Sequence, residues 1–168
     1  MSEKHIVQCA KKLRDLHQAI KQAYDKEPHG EAHKHACAAF HKQFDQLSFP
    51  GGLEQALSQL KNHNSSILPI ALEFLQADPY FHRSGYIKEE ILHYLKKFKF
   101  TDKQKNLFYD LLDRSIHHDQ DRIFRAYAKL FPYVSTQAQK TKIKDLLKNA
   151  DAKLAQRLEY ICHLLHSS

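Results

Sequence analysis

Histidine and cysteine residues in the N-terminal third of the chain stand at a spacing that suits metal binding. His29, His33, Cys37 and His41 follow one another at intervals of four residues. Residues four apart are neighbours on an α-helix, and imidazole and thiolate groups are preferred ligands of Zn²⁺. A single straight helix cannot surround an ion, because only adjacent side chains converge. His33, Cys37 and His41 are therefore weak metal candidates, and we expect no metal site and no cofactor.

Catalytic motifs are absent from the sequence. It contains no H-E-x-x-H pattern and no nucleophile elbow, and its 4 glycines form no phosphate-binding loop. The His118-Asp119 doublet resembles that of helical metal-dependent phosphohydrolases, but it lies where one helix is expected to end and Asp119 to cap the next. We therefore predict that the protein is not an enzyme. The alternative is a metal-dependent hydrolase that uses the His and Cys clusters.

The segment 78–90 joins two expected helices and combines basic, hydroxyl and aromatic side chains. A helix N-terminus presents unpaired N–H groups and the positive end of the helix dipole, so basic residues beside one suit a small anion. The candidate binding residues of this junction are Tyr80, Arg83, Ser84, Tyr86 and Lys88. In the structural alternative, Ser84 caps the helix, Arg83 pairs with a carboxylate such as Glu89, and the aromatic rings pack in the core.

A second candidate surface is a basic stripe on a later helix. Arg122, Arg125 and Lys129 stand at i, i+3 and i+7, which places them on one helix face, and Tyr127 and Tyr133 are near them in sequence. Other lysines recur around the stripe at Lys96, Lys97, Lys99, Lys140, Lys144 and Lys148. Such a surface predicts attraction to phosphates or to an acidic protein. In the alternative, neighbouring aspartates neutralise it through ion pairs along the helices.

Net charge supports an acidic partner. The 168 residues include 26 Lys and Arg against 19 Asp and Glu, a formal charge of +7. Residues 84–148 hold 14 of the basic and 8 of the acidic residues, which is +6 of that total. We expect a non-catalytic binding or scaffold module that recognises an acidic protein or a phosphate-bearing partner. The alternative partner is a nucleic acid bound by the 84–148 surface.

Cysteine usage and hydropathy bear on the compartment. The 3 cysteines are far apart, odd in number and without a C-x-x-C pair, which is typical of reduced thiols inside the cell. No apolar run reaches the roughly 18 residues that a membrane span requires, and the N-terminus lacks a signal-peptide pattern. We therefore expect a cytoplasmic protein that is not inserted in a membrane. No feature indicates an oligomeric state.

Apolar residues recur every three or four positions through most of the chain, and this period predicts helices throughout. We expect one helical domain, 1–168, in which 1–48 is a helical hairpin and 53–166 a helical repeat region. The expected helices span about 3–25, 31–47, 53–62, 66–77, 86–98, 102–117, 120–132, 136–149 and 151–166. The expected caps are Ser66, Asp119, Asp151 and the capping boxes Thr101-x-x-Gln104 and Thr136-x-x-Gln139.

Two helices recur as a unit when the sequence is shifted by 36 positions. The shift places Ile87, Ile91 and Leu95 on Ile123, Tyr127 and Phe131. In this ladder, residues 53–166 resemble the α-α superhelices of the HEAT and armadillo type. The resemblance implies a right-handed stack of helical hairpins that acts as a scaffold for a partner. The alternative architecture is a plain helical bundle.

Overall fold

The computed structural model describes residues 3–118 and 120–167, and within them the chain is all-α, as predicted. It forms nine α-helices, a short 3-10 helix at Ser65–Ile67 and no strand. None of the described helices is long and apolar enough to cross a membrane. The helices are α1 (Glu3–Lys26), α2 (Glu31–Ser48), α3 (Leu53–Lys61), α4 (Leu68–Ala77), α5 (Ser84–Leu95), α6 (Asp102–His117), α7 (Asp121–Val134), α8 (Gln137–Leu147) and α9 (Ala152–His166).

Most of the predicted helix caps are confirmed. Thr101 and Thr136 each accept a bond from the backbone N–H three residues on, and the glutamine at that position bonds back to the threonine N–H. The Asp151 carboxylate accepts from the Leu154 N–H at 2.9 Å and so begins α9. These contacts are local, which is why sequence spacing alone finds them.

One predicted cap is wrong, and another lies outside the described residues. Ser66 is a residue of the 3-10 helix, and its N–H donates to the side chain of Asn64 at 3.0 Å. Asn64 caps this turn because its amide oxygen reaches the N–H two residues on, as asparagine does in an Asx turn. Asp119 falls between the two described ranges. At the start of α7, Gln120 holds the N-cap position without a side-chain bond.

The break between α2 and α3 depends on a glycine. Gly52 has a φ of +95°, in the left-handed region that side chains rarely adopt. A Cβ at this position would also lie 2.9 Å from an Asp45 carboxylate oxygen. That carboxylate accepts the Glu54 N–H at 2.8 Å and so satisfies a free backbone donor at the start of α3.

The chain divides into two compact units, and the division falls within α5, between Lys88 and Glu89. In the first unit, α1 packs along α2 and against α4, while α2 contacts α3. Its core is apolar and includes Leu13, Leu60 and Leu75, and the Phe49 and Phe74 rings meet at 4.9 Å. Phe49 follows α2 in the turn that leads to α3 and is 1% exposed, so this turn is packed into the core of the unit.

The second unit is built from α6 packed on α7 and α8 packed on α9, with α7 also packed on α9. Its central helix is α7, in which eight residues are buried. Leu95, Ile123 and Phe131 from the apolar ladder are all buried here, in agreement with the hydrophobic spacing. Helix α7 continues to Val134 through Pro132, which lies in the last turn of the helix.

Arg157 of α9 is a buried cation that joins three helices of the second unit. Its Nη1 lies 3.0, 2.7 and 2.5 Å from the carbonyl oxygens of Ser115, Ile116 and His118, where α6 ends. Its Nη2 donates to the Asp121 carboxylate at 2.7 Å, where α7 begins. Because the last carbonyls of a helix have no partner within that helix, this guanidinium joins α9 to the α6–α7 corner.

Three side-chain contacts in the second unit link residues 33 to 36 positions apart in sequence. Arg122 pairs with Glu89 across 33 positions, and Gln139 donates to Asn106 across 33. The Arg157 and Asp121 pair spans 36. The contacts join α5 to α7, α6 to α8, and α7 to α9. Each helix of the second unit from α5 to α7 is therefore tied to the next but one along the chain.

Replacement of Arg157 should destabilise the protein strongly. Arg157→Met removes the cation from three backbone carbonyls, and each bond to a charged donor contributes about 1.5–3 kcal/mol. We expect the free energy of unfolding in urea to fall by roughly 2–3 kcal/mol in total, since nearby water replaces part of the loss. Arg114→Met, at an exposed position on α6, is the matched control and should change stability by less than about 0.5 kcal/mol. Equal effects of the two variants would contradict this role.

Candidate functional site

The α4–α5 junction in the first unit holds five of the predicted binding residues, and two of them are buried. Ser84 is 4% exposed, and its hydroxyl accepts the Phe81 N–H at 3.2 Å. The Lys88 residue is 3% exposed, and its Nζ pairs with the Asp78 carboxylate. Both polar groups therefore hold the junction together and are turned away from solvent.

The other three predicted residues of the junction are accessible. Tyr80 and Tyr86 are 69% and 59% exposed. Arg83 is exposed, has a φ of +70° and makes no ion pair with the described residues. Its carbonyl oxygen accepts the N–H groups of Tyr86 and Ile87, which begins α5. Arg83 thus shapes the helix start through its backbone and leaves its guanidinium in solvent.

Contacts from α1 position the junction, and sequence reasoning did not find them. Arg14 donates to the Tyr80 carbonyl oxygen at 2.6 Å. The His17 and His82 rings stack with centroids 4.5 Å apart and planes 11° from parallel. Burial, then the nearby His82 and Lys21, lower the pKa of His17. Since these partners are 65 or more positions apart in sequence, no local pattern signals them.

The basic stripe on α7 is present in the second unit, with its residues in different environments. Arg122 donates to Glu89 at 2.8 Å, so part of its charge is neutralised. The Arg125 guanidinium lies 5.5 Å from the centroid of the Tyr160 ring on α9. Arg125 and Lys129 are exposed and make no ion pair with any described residue. These two residues are the accessible cations of the stripe.

The aromatic residue of this stripe is Tyr133 rather than Tyr127. Tyr127 is 5% exposed and belongs to the core, whereas Tyr133 is 58% exposed. Helical geometry explains the difference, because Tyr133 lies one turn beyond Lys129 on the same face and Tyr127 lies off that face. Sequence spacing alone is therefore enough to distinguish the exposed Tyr133 from the buried Tyr127.

Lys96, just after α5, completes a cluster at the end of the stripe. Its Nζ lies 5.6 Å from the centroid of the Tyr133 ring, a cation–π contact. Burial, and after it the positive charge of Lys129, lower the pKa of Lys96. No described carboxylate pairs with Lys96. We call Lys96, Arg125, Lys129 and Tyr133 the α7 cluster.

Beside the α7 cluster, a cleft of about 360 Å³ opens between α7 and α9. Its walls combine apolar rings with charged groups, so it suits an amphipathic ligand. Arg157 and Asp121 in the cleft bond to each other, whereas Arg125 makes no ion pair with the described residues. The lining residues are Asp121, Phe124, Arg125, Gln156, Arg157, Glu159, Tyr160 and His163.

Two of the three cysteines each contact the histidine four residues before them. Cys37 lies 3.5 Å from His33, and Cys9 lies 3.5 Å from His5. His41 packs edge-on against Phe40 with ring centroids 5.8 Å apart. Among the described residues, no three of His, Cys, Asp or Glu come together as a ligand set for a metal ion. All three cysteines are free thiols.

Comparisons with known proteins found no relative. No protein-family model, no curated protein and no solved structure matches the chain. The resemblance to HEAT and armadillo superhelices therefore stays a prediction.

Removal of the Asp78 carboxylate should destabilise the protein, because Lys88 would then be buried without its partner. Asp78→Gly keeps the left-handed backbone, which has a φ of 45° here, and leaves a buried ammonium unpaired. We expect the free energy of unfolding to fall by about 3 kcal/mol. Lys88→Met in the same background should recover most of the loss, because no buried charge then remains. A double variant as unstable as the single one would contradict this interpretation.

The stacked histidines should make stability depend on pH. The pKa of His17 is lowered in the folded protein, so the unfolded chain binds the proton more tightly. The free energy of unfolding should therefore decrease as pH falls below about 6.5, the usual histidine pKa, until the folded-state pKa is passed. Chemical denaturation at several pH values should give a flatter profile for His17→Gln. His35→Gln, at an exposed position, should leave the profile unchanged.

Proposed function

We propose that the protein is a non-catalytic binding module and that the α7 cluster holds an acidic protein or a phosphate-bearing partner. One observation carries the proposal. Lys96, Arg125 and Lys129 lie together on neighbouring elements without a carboxylate partner among the described residues. Some exposed lysines elsewhere are neutralised by a nearby carboxylate, as in the pairs of Lys34 with Glu31 and of Lys148 with Asp145.

The chemistry of the α7 cluster supports this function. Cations gathered on one surface raise the local positive potential and speed the encounter with an anionic partner. Bonds between cations and carboxylates or phosphates are charge-assisted and stronger than neutral ones. Tyr133 supplies exposed aromatic area, which is enriched at binding hot spots. The cluster therefore offers both attraction and contact area.

We also propose that α5 to α9 form a stacked array of the HEAT or armadillo type. The contacts across 33 to 36 positions support this, as do the two capping boxes 35 positions apart. In such an array corresponding helices lie side by side. The exposed faces of α5, α7 and α9 would then form a common surface.

Free thiols at all three cysteines support a reducing compartment such as the cytoplasm.

Charge reversal in the α7 cluster should weaken binding to acidic polymers strongly. Arg125→Glu with Lys129→Glu replaces two unpaired cations by anions, and we expect affinity for fluorescent poly-glutamate to fall by at least about tenfold. Arg122 is left intact, since a glutamate there would face Glu89. The measurement is fluorescence anisotropy at low salt, together with the thermal midpoint of unfolding.

Lys140→Glu with Lys144→Glu is the matched control, because it makes the same change in net charge on α8. It should weaken binding much less than the variant in the α7 cluster. An equal loss in both would mean that net charge alone attracts the polymer, and the proposal would be wrong. A large drop in thermal midpoint for Arg125→Glu with Lys129→Glu would show that these cations are structural.

A further inference from the structure

We infer that the partner of the α7 cluster is an acidic α-helix that lies along α7 and presents its carboxylates at successive turns. This inference rests on the proposed function and specifies the shape of the partner. It depends on the spacing of the cations, on the acidic residue beside them and on the cleft next to Arg125. Each of these features lies within the second unit.

Spacing favours a helical partner. Arg125, Lys129 and Tyr133 lie four residues apart along α7, so the rise between them is about 6 Å per step. A second helix with acidic residues at i, i+4 and i+8 presents carboxylates at the same interval. Side chains on one face of an extended strand repeat at about 6.8 Å and lose register along the stripe. Lys96 lies over the Tyr133 ring, so it supplies a cation where α7 itself supplies an aromatic ring.

An acidic residue beside the cluster disfavours a nucleic acid. Glu159 lines the cleft beside Arg125, whereas the Asp121 carboxylate at its edge is paired with Arg157. A phosphate backbone carries a charge at every step, and Glu159 would repel it. A protein helix can place an uncharged or basic residue opposite Glu159. The presence of a carboxylate beside the cations therefore favours a protein partner, whose charge can differ from residue to residue, over a uniformly charged nucleic acid.

The cleft between α7 and α9 gives the helix an apolar anchor point. Phe124 and Tyr160 contribute rings to a space of about 360 Å³, beside the accessible guanidinium of Arg125. Amphipathic helices bind by inserting side chains spaced three or four residues apart into such clefts. One leucine or phenylalanine next to the acidic face would fill it. The partner is therefore acidic on one stripe and apolar at one adjacent position.

The test uses two synthetic peptides of identical composition. In the first, glutamates at i, i+4 and i+8 share one face of a helix with an adjacent leucine. In the second, the same residues are scrambled so that the glutamates surround the helix, with helicity matched by circular dichroism. Fluorescence anisotropy with the full-length protein should give at least tenfold tighter binding for the first peptide. Equal affinities would overturn the inference.

Variants separate this inference from the proposed function. Lys96→Gln with Lys129→Gln should remove the preference for the first peptide, while Lys140→Gln with Lys144→Gln should retain it. If poly-glutamate binding depends on the α7 cluster but the two peptides bind equally, the helical partner is wrong and the proposed function stands. If neither the peptides nor poly-glutamate bind, both are wrong. An oligonucleotide that binds tighter than the first peptide would overturn the inference in favour of a nucleic acid.

Discussion

The guanidinium of Arg157 is the contact on which the second unit depends. It is buried, and it satisfies carbonyl oxygens at the end of α6 and the carboxylate at the start of α7. A buried cation is unfavourable without such partners, so α9 and the α6–α7 corner must keep one relative position. That constraint sets the neighbouring side chains on α7 and α9, which include Arg125 and Tyr160. The candidate site is therefore held by a group that is not itself available to a partner.

Lys88 is the corresponding buried cation of the first unit, and it too is paired at a helix end. Its ammonium group is buried against the carboxylate of Asp78, at the residue that ends α4. Basic residues in this chain thus have different roles. Lys88 and Arg157 are buried and join helix ends, whereas Lys96, Arg125 and Lys129 lie together without a carboxylate partner among the described residues. The buried cations add to the net charge of the sequence but are not accessible to a partner.

Contacts between helices that are two apart along the chain bring such a surface together. Side chains 33 and 36 positions apart tie α5 to α7 and α7 to α9. The elements that carry Lys96, Lys129 and Tyr160 are thereby brought together, although these residues are far apart in sequence. Ion pairing at Arg122 leaves the charge of the stripe concentrated toward Lys129 and Tyr133. The unpaired cations of the stripe are therefore Arg125 and Lys129, one turn apart on α7, and Lys96 lies over the Tyr133 ring one turn further on.

The sequence alone determined the helical class, most helix limits and the capping boxes at Thr101 and Thr136, because hydrophobic period and cap chemistry act within a few residues. It also placed Arg125 and Lys129 on one helix face. Tertiary structure decided that Ser84, Lys88 and Tyr127 are buried, and that Lys96 meets Tyr133. Those outcomes depend on contacts between separate helices, and a side chain with the right chemistry is accessible only where no neighbouring helix covers it. Local spacing describes one helix at a time, whereas burial and pairing belong to the packed unit.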